Sequence, residues 1–475
     1  MRYKKALLIV PPTGLYRRED RCQSRVDTQT ARVIFPPMAL AHMASSMVNG
    51  GVKCLIRDYA AKGAGWSDFT DDLKKTPADL LIISTTGATL ESDLKAARLA
   101  KKANPGIRVA VIGMAAGLRD SWVLARYPAD FIIRESPEST ISWLIDAPVG
   151  RVPNISYLKD GKLVRARSLK LTGPLDELFP AARHLLDNRL YRDPRTGRML
   201  TMIECERGCP NSCIFCTAPM THGKIPRYRR HEHVIYEISQ SLKLGIGSFI
   251  MNGDTFTHNP GWVMGLCRKI APLGIEWACN SRVDALNLRM LRAMKDSGCY
   301  LIGFGIESGN QQILRKIRKG TTVNAIRRAI ALCRQAGIRV HTFSVIGFPW
   351  DTEKTIYDTY RLIRQADPDY FDINLATPLP GSEYYAIACR EGLVKKLTYD
   401  YARASVSTFS LSAPRLERLR ARILMRLYAR PGYVIRTLLR ARSAAELKRL
   451  FWSGARRIEH LLSGSLFLLC AQVTL

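Results

Sequence analysis

Long apolar runs are missing from this chain of 475 residues. The longest unbroken apolar stretches, such as 6–10 and 466–471, have the length of a strand and are far shorter than the roughly 20 residues of a bilayer-spanning helix. No early stretch joins a basic start to an apolar run and a small-residue cleavage site, so we expect no secretory signal. These absences argue against a membrane-spanning or secreted protein and favour a cytoplasmic one.

Acidic residues are also scarce. There are 41 Asp and Glu against 72 Lys and Arg, which gives a formal net charge of +31. A basic excess attracts the phosphates of nucleic acids or anionic lipids, and it can also serve an anionic substrate. A plainly soluble basic surface has the same composition, so the charge alone excludes none of these.

A disulfide framework is not indicated either. Most of the 12 cysteines lie singly in predicted strands and helices, which favours a reducing compartment. The length leaves room for about two or three domains with sizeable cores.

Three cysteines near the middle of the chain stand apart from the others. Cys209, Cys213 and Cys216 have the spacing C-x3-C-x2-C, which lets one loop place thiolates at three corners of a cubane iron-sulfur cluster. Electron-transfer clusters normally have four cysteine ligands, so the open fourth iron favours chemistry at the metal. The alternatives are a structural zinc site or ordinary reduced core thiols. Zinc knuckles usually come in pairs, and the sequence has no second C-x2-C and no H-x3-H. Cys205 fits no position in the motif and is expected to be a thiol near the site.

The cysteine loop, with Phe215 just before its last cysteine, resembles the cluster motif of radical S-adenosylmethionine (SAM) enzymes. The resemblance implies a [4Fe-4S] cluster whose open iron holds the amino and carboxylate groups of SAM. Reduction then cleaves SAM to a 5'-deoxyadenosyl radical.

Residues 1–148 predict a doubly wound α/β domain of about five parallel strands, because aliphatic runs alternate with helical patterns. Ligands of such sheets lie beyond the carboxyl ends of the strands. We predict strands over 6–11, 52–58, 79–84, 108–113 and 131–134, and helices over 38–49 and 91–104.

This half resembles the cobalamin-binding, Rossmann-like domain that precedes many radical SAM cores. The resemblance implies corrinoid contacts at the strand ends, from Thr85, Thr86, Gly113 and Glu135. The sequence has no Asp-x-His-x-x-Gly motif, so no histidine is expected on the cobalt. Arg134 stands where the family usually has glycine. The alternative is a flavodoxin-like domain that has lost its ligand.

Residues 149–199 are rich in turn signals and predict a linker without chemistry, with a small hairpin at Asp160 and Gly161. Residues 200–390 return to alternating strands and helices. Six such units resemble the partial (βα)6 barrel of radical SAM enzymes, with the cysteine loop after the first strand. The predicted strands are 200–204, 248–252, 276–281, 300–306, 339–346 and 370–376.

Motifs at the ends of these strands extend the resemblance. Residues 305–309 resemble Gly-x-Glu-Ser-Gly, 347–349 resemble Gly-Phe-Pro, and 378–382 resemble Pro-x-Pro-Gly-Thr on the substrate side. After the second strand, Gly253 replaces an acid that the family often has. The SAM contacts that the resemblance implies are Asp254, Arg282, Glu307 and Ser308.

Residues 391–475 predict a basic helical region, with helices over 415–430, 433–442, 444–451 and 456–462. Three interpretations stay open. The helices form a solvated cap over the barrel, they lie on an anionic membrane, or they contact nucleic acid, although no RNA-binding module is recognisable.

The resulting hypothesis is a cobalamin-dependent radical SAM enzyme that methylates an unactivated carbon of a small metabolite or lipid. It would take electrons from an external donor such as a flavodoxin or ferredoxin. No catalytic acid or base is assigned, since neither radical formation nor methyl delivery needs one. The alternatives are a cyclase of the anaerobic Mg-protoporphyrin ester cyclase type, an RNA-modifying enzyme, and a non-enzymatic sensor.

Overall fold

The N-terminal half of the chain alternates between short strands and helices. A computed structural model describes residues 3–18, 23–26, 33–169, 175–398 and 400–439. The strands are β1 (Lys5–Val10), β2 (Lys53–Asp58), β3 (Leu80–Ser84), β4 (Arg108–Ile112), β5 (Phe131–Ile133), β6 (Ile155–Lys159) and β7 (Lys162–Arg165). The helices are α1 (Met38–Asn49), α2 (Tyr59–Lys62), α3 (Trp66–Lys75), α4 (Leu90–Asp93), α5 (Lys95–Ala103), α6 (Met114–Leu118), α7 (Asp120–Arg126) and α8 (Pro137–Asp146).

These strands form one sheet in the order β2-β1-β3-β4-β5-β6-β7. The strands β1 to β5 are parallel, which confirms the predicted doubly wound sheet. The antiparallel hairpin of β6 and β7 comes from the segment predicted as a linker and extends the same sheet. It turns at Asp160 and Gly161, as predicted, and both residues have positive φ, 50° and 74°, as a tight hairpin turn requires.

Helices cover both faces of this sheet. Successive side chains of β1 alternate between the two apolar layers. Leu8 packs in one of them, while Leu7 and Ile9 pack in the other. Because β1 is buried on both faces, its sequence is a continuous aliphatic run.

The second half of the chain repeats the strand-helix rhythm. Its strands are β8 (Leu200–Glu204), β9 (Glu206–Arg207), β10 (Arg227–Tyr228), β11 (Ser248–Asn252), β12 (Glu276–Ser281), β13 (Cys299–Glu307), β14 (Arg339–Ile346) and β15 (Tyr370–Leu375). Its helices are α9 (Ala218–Thr221), α10 (His231–Lys243), α11 (Pro260–Ile270), α12 (Leu288–Asp296), α13 (Gln311–Lys316), α14 (Val323–Gln335), α15 (Glu353–Ala366), α16 (Glu383–Arg390), α17 (Ala413–Tyr428) and α18 (Pro431–Leu439).

Six of these strands form a fully parallel sheet in the order β15-β14-β13-β12-β11-β8. Neighbours in the sheet are therefore consecutive units of the chain, which confirms the predicted partial barrel. Phe304 and Ile306 of β13 pack in the large apolar core under the helices. The alternate residues Gly303 and Gly305 lie on the opposite, inner face of the sheet.

The carboxyl ends of the two sheets face each other. Arg207 Nη2, just before the cysteine loop, lies 2.8 Å from Glu138 Oε1 at the start of α8. Leu118, at the end of α6, lies beside the loop after β15, because a Cβ built on Gly381 would be 3.8 Å from Leu118 Cδ1. The loops that carry the candidate sites of the two halves therefore meet.

The basic C-terminal region begins with α17 and α18, which fall in the first two helices predicted there. The helices predicted over 444–451 and 456–462 and the apolar stretch 466–475 lie outside the described residues. Of the helices that the structure describes, none is both long and apolar enough to cross a membrane.

A buried cluster of three charges joins the connector to the barrel. Arg183 Nη1 lies 2.6 Å from Glu237 Oε2, and Arg229 pairs with the other carboxylate oxygen. Arg183 also donates to Thr201 Oγ1 at 3.0 Å and to the carbonyl of Met202 at 2.6 Å. Burial opposes ionisation of Glu237, but Arg183, His42 and Arg229 together outweigh it and lower the pKa of Glu237 to about 2. This carboxylate thus ties the connector, β8 and α10 together.

We expect Glu237→Ala to lower the free energy of unfolding by about 3–5 kcal/mol, because it leaves two buried guanidinium groups without their counter-charge. The matched control is Glu232→Ala on the same helix, where Glu232 forms an exposed pair with Lys269. Exposed pairs contribute about 0–1 kcal/mol. Urea unfolding followed by circular dichroism measures both losses, and equal losses would contradict a structural role for the buried cluster.

Candidate functional site

The cysteine loop leaves the end of β8 and is held in one shape by its backbone. Gly208 has a φ of 110°, and a Cβ at this position would lie 2.2 Å from the carbonyl of Ile225, so only glycine fits. The amide of Cys209 donates to the carbonyl of Gly223 at 3.1 Å, and the amide of Ile214 to that of Ile317 at 3.2 Å. The loop is therefore fixed at both its start and its middle.

The three motif cysteines are partly buried free thiols. Asn211 Nδ2 donates to Cys209 Sγ at 3.4 Å, and Thr255 Oγ1 lies 3.7 Å from the same sulfur. Burial raises the pKa of Cys213, and the positive charges of Lys319 and Arg282 offset part of that rise. Hydrogen-bond donors and cations beside a sulfur also suit the thiolate form that binds iron.

The three thiols come from one loop, and their C-x3-C-x2-C spacing would give one ligand to each of three irons of a cube. Across the described residues, no three His, Cys, Asp or Glu side chains converge closely enough to hold one metal ion. Cys205 lies outside this set, since it is fully buried in the apolar core.

Asp254, after β11, braces the cysteine loop. Its carboxylate accepts the amide of Gly208 at 2.6 Å and pairs with His222 Nδ1 at 2.9 Å. The sequence predicted Asp254 as a SAM contact, and the structure places it directly beneath the start of the loop. His222 was not predicted, because nothing in its local sequence marks it as a partner of a residue 32 positions away.

Arg282 and Glu307, predicted as SAM contacts at the ends of β12 and β13, belong to one charged network beside the loop. Arg282 donates through Nε and Nη2 to Asp284 at 3.0 and 2.7 Å, and through Nη2 to the carbonyl of Lys319 at 2.7 Å. Glu307 Oε1 accepts from Lys319 Nζ at 2.8 Å. The structure thus brings Arg282 and Glu307 together through Lys319.

Lys319 is the residue of this network that sequence reasoning missed. It is only 8% exposed, and buried lysines are rare unless they are paired. Burial disfavours its charged form, but Glu307 and Cys213 outweigh that effect and raise the pKa of Lys319. A fixed positive charge therefore lies next to Cys213.

Two backbone features set the direction of the chain at the end of β13. Glu307 has a positive φ of 57°, and the pairing of β13 with β14 shifts register between Gly305 and Glu307. Ser308, the fourth predicted SAM contact, accepts the amide of Asn310 at 3.1 Å and lies 3.4 Å from Thr359 Oγ1. In this structure its hydroxyl therefore shapes the turn after the strand.

An aromatic cluster joins the last part of the cysteine loop to the Gly-Phe-Pro turn after β14. The ring centroids of Phe215 and Phe348 are 5.5 Å apart, and Tyr384 lies 5.6 Å from Phe348. Asp351 closes the turn by accepting the amides of Gly347 and Phe348 at 2.9 and 3.1 Å. Burial raises the pKa of Asp351 to about 6.

The predicted corrinoid contacts lie at the facing edge of the first sheet. Thr85 Oγ1 donates to the carbonyl of Ile112 at 2.7 Å. Gly113 has a φ of 124°, and a Cβ there would be 2.5 Å from the carbonyl oxygen of Thr85. The hydroxyl of Thr86 accepts the amide of Ala88 at 3.1 Å. Thr85, Thr86 and Gly113 therefore form one narrow ledge of small residues.

Glu135 lies apart from that ledge. Its Oε1 accepts from Ser168 Oγ at 3.2 Å, and Arg134 Nη2 donates to the carbonyl of Ala166 at 2.5 Å.

Asp93 was not predicted, although it is fully buried under the edge. It accepts from Thr13 Oγ1 at 2.5 Å, Thr89 Oγ1 at 2.6 Å and Arg18 Nη1 at 2.9 Å. The signal that could have found Asp93 is its spacing from Leu90, Leu94 and Ala97, which places this charged residue on the apolar face of the predicted helix.

Comparison with known proteins agrees with this site. Residues 203–363 match the radical SAM superfamily. The chain is 28% identical over 452 residues to an uncharacterized methyltransferase of Pyrococcus horikoshii, covering 92% of this chain and 95% of that protein. It is 26% identical over 371 residues to the anaerobic magnesium-protoporphyrin IX monomethyl ester cyclase of Rubrivivax gelatinosus, covering 74% of this chain and 66% of that protein.

A solved structure shares the arrangement of both halves. The cobalamin-dependent S-adenosylmethionine radical enzyme OxsB, solved with aqua-cobalamin and S-adenosylmethionine bound, superposes with a TM-score of 0.72 at 15% identity. The superposition covers 97% of this chain and 72% of OxsB. At this identity the similarity shows the fold.

The chain contains a radical SAM domain. The superfamily match begins at Ile203, at the end of β8, and includes the cysteine loop and the strand ends that surround it. Its cofactors are accordingly a [4Fe-4S] cluster and SAM, and Cys209, Cys213 and Cys216 are the candidate ligands for three of the irons.

We expect Cys209→Ala, Cys213→Ala and Cys216→Ala each to abolish stable cluster assembly, because each removes the thiolate of one iron. Iron and sulfide analysis after anaerobic reconstitution should give about four irons per chain for the wild type and far fewer for each variant. The control is Cys389→Ala, an exposed cysteine of α16. Full loading of any motif variant would refute the assignment of that cysteine.

We expect Lys319→Met to lower the reduction potential of the cluster, since loss of a buried positive charge disfavours the added electron. The double variant E307Q/K319M should recover much of the shift, because it also removes the negative partner. Lys295→Met, an exposed lysine of α12, is the control. Potentiometric titration followed by electron paramagnetic resonance measures the shift, and an unchanged potential in K319M would refute an electrostatic role.

Proposed function

We propose that the protein is a cobalamin-dependent methyltransferase that acts on an unactivated carbon of a small metabolite or lipid. The observation that supports it most is the meeting of the two carboxyl edges. Ligands of parallel sheets bind beyond these edges. The ion pair of Arg207 with Glu138 and the approach of Leu118 to Gly381 hold the two edges against each other. A ligand on the first sheet would thus face a ligand on the cysteine loop.

When bound, the cluster and SAM would supply a 5'-deoxyadenosyl radical that abstracts hydrogen, and a corrinoid would supply the methyl group. The chain's own residues would bind and orient these cofactors and shield them from water. Asp254 sets the start of the cysteine loop, and the Arg282, Lys319 and Glu307 network presents paired charges to a zwitterionic ligand. The ring of Phe348 against Phe215 keeps water from one side of the loop.

On the first sheet, Thr85, Thr86 and Gly113 would provide a flat edge for a large planar ligand, and Glu135 would lie at its margin. A side chain at Gly113 would collide with the backbone of Thr85, so glycine is what lets these two strand ends lie close together. We retain Asp254, Arg282, Glu307 and Ser308 as SAM contacts and these four residues as corrinoid contacts.

A cyclase or rearrangement enzyme is the second candidate, supported by the similarity to the Rubrivivax cyclase over 371 residues. The product mass separates the two reactions, because methylation adds one methylene to the substrate and cyclisation adds none. An RNA substrate is a weaker candidate and rests on the charge of +31 alone.

The proposed function includes two partners besides the substrate, an electron donor and a membrane surface. Cluster reduction would need an external donor such as a flavodoxin or ferredoxin, and an oxygen-sensitive cluster favours the reducing cytoplasm. The basic C-terminal helices would give the enzyme a peripheral contact with a membrane.

We expect the reconstituted enzyme to retain cobalamin through desalting and to convert SAM into both 5'-deoxyadenosine and S-adenosylhomocysteine. Gly113→Ala should lose cobalamin retention, because its new Cβ would lie 2.5 Å from the carbonyl oxygen of Thr85. Gly161→Ala is the matched control, since Gly161 also has positive φ but has open space around its Cβ position.

The readouts are the visible spectrum of the retained corrinoid and chromatography of the SAM products. Deoxyadenosine without S-adenosylhomocysteine would favour the cyclase. Failure of the wild type both to retain cobalamin and to form S-adenosylhomocysteine would refute methyl transfer.

A further inference from the structure

The last described helix carries an apolar face that nothing in the described residues covers. Val434, Ile435, Leu438 and Leu439 of α18 are 43%, 56%, 43% and 80% exposed. Their spacing places them on one side of the helix. Single exposed aliphatic side chains are common, but four adjacent ones on one face mark an interaction surface.

This face is held in place from behind. Arg436 Nη2 lies 2.8 Å from Asp367 Oδ1, and Arg430 Nη1 lies 3.1 Å from the same oxygen. The ring of Tyr433 packs 5.3 Å from Phe371 of β15 and 5.9 Å from Tyr428. The inner side of α18 is thus bound to the barrel, so its outer apolar side is presented on a fixed support.

The preceding helix adds a row of positive charge. Arg418, Arg422 and Arg426 recur every four residues along α17, and all three are exposed. Within the residues that the structure describes, none of the three pairs with a carboxylate. Glu417 is the only acidic residue in 413–439, so this row carries its charge without local compensation.

We propose that the arginine row of α17 and the apolar face of α18 form a docking surface for the headgroup layer of an anionic phospholipid bilayer. Amphipathic helices bind such surfaces when aliphatic side chains reach the acyl boundary and basic side chains lie among the headgroups. This inference rests on the membrane contact in the proposed function and is independent of the methyl-transfer chemistry.

Other occupants fit these side chains less well. Single-stranded nucleic acid is bound by stacking bases on aromatic rings, whereas the exposed residues of α18 are aliphatic. A second copy of the chain would set two rows of arginine against each other across a twofold axis. Residues 440–475 contain six Lys and Arg against two Glu, so they bring more like charge to the row. An anionic bilayer complements both the charge and the apolar face.

The apolar face of α18 is remote from the candidate active site. Tyr433 Oη donates to the carbonyl of Asp369 at 3.4 Å, next to the start of β15, whereas the cysteine loop lies at the carboxyl ends of the strands. The three arginine side chains of α17 are exposed. Substitution of these arginines or of the α18 face should therefore leave SAM cleavage unchanged, which separates a failure of docking from a failure of the proposed chemistry.

The test is cosedimentation of the full-length holoenzyme with vesicles of phosphatidylcholine, with and without phosphatidylglycerol. We expect binding to the anionic vesicles alone, weakened by salt. The triple variant R418Q/R422Q/R426Q should partition on the order of a hundredfold less, because each basic side chain contributes about a fivefold gain near an anionic surface. The double variant I435S/L438S should also lose binding, even at low salt.

The matched control is R289Q/R292Q/K295Q, which neutralises three exposed basic residues of α12, a helix whose apolar residues are buried. This variant should bind vesicles like the wild type. Absence of wild-type binding, or equal loss in both triple variants, would overturn the proposal. So would a dimer that I435S/L438S dissociates in light scattering, or RNA binding that the α17 variant abolishes while vesicle binding persists.

Discussion

The ion pair between Arg207 and Glu138 sets the relation between the two halves of the molecule. Arg207 lies two residues before the first cysteine of the loop, and Glu138 begins the helix that follows the last parallel strand of the first sheet. Both side chains are largely buried. Burial opposes ionisation of Glu138, yet the charge of Arg207 lowers the pKa of Glu138 to about 2. Because one buried charge without the other is costly, the pair favours a single orientation of the two edges.

That orientation explains why an enzyme of this kind needs few reactive side chains. A radical reacts with the intended atom when its target is held close and water is kept out. The main task of the protein is therefore to position the reactants. The network around Lys319, the turn closed by Asp351 and the ledge at Gly113 all serve placement. Asp254 combines two roles, since it lies at a position predicted to contact SAM and also holds the start of the cysteine loop.

Much of this architecture could be predicted from the sequence because its signals are local. The strands predicted over 200–204, 248–252 and 276–281 start and end where the structure places β8, β11 and β12. The location of the motifs at the strand ends could be predicted because parallel strands bring all their carboxyl ends to one edge of the sheet. The hairpin of β6 and β7 was assigned to a linker, since nothing in its own residues says which sheet it joins. Lys319 and His222 were missed for a related reason, because their partners are distant in sequence.

The buried cluster around Glu237 also has a consequence for synthesis of the chain on the ribosome. The first sheet is complete once β7 has emerged, so its domain can fold while translation continues. Arg183 emerges 54 residues before Glu237. The connector therefore has no counter-charge until α10 has been made. Docking of the nascent barrel onto the finished first domain then waits for that helix, which imposes an order of assembly on the two halves.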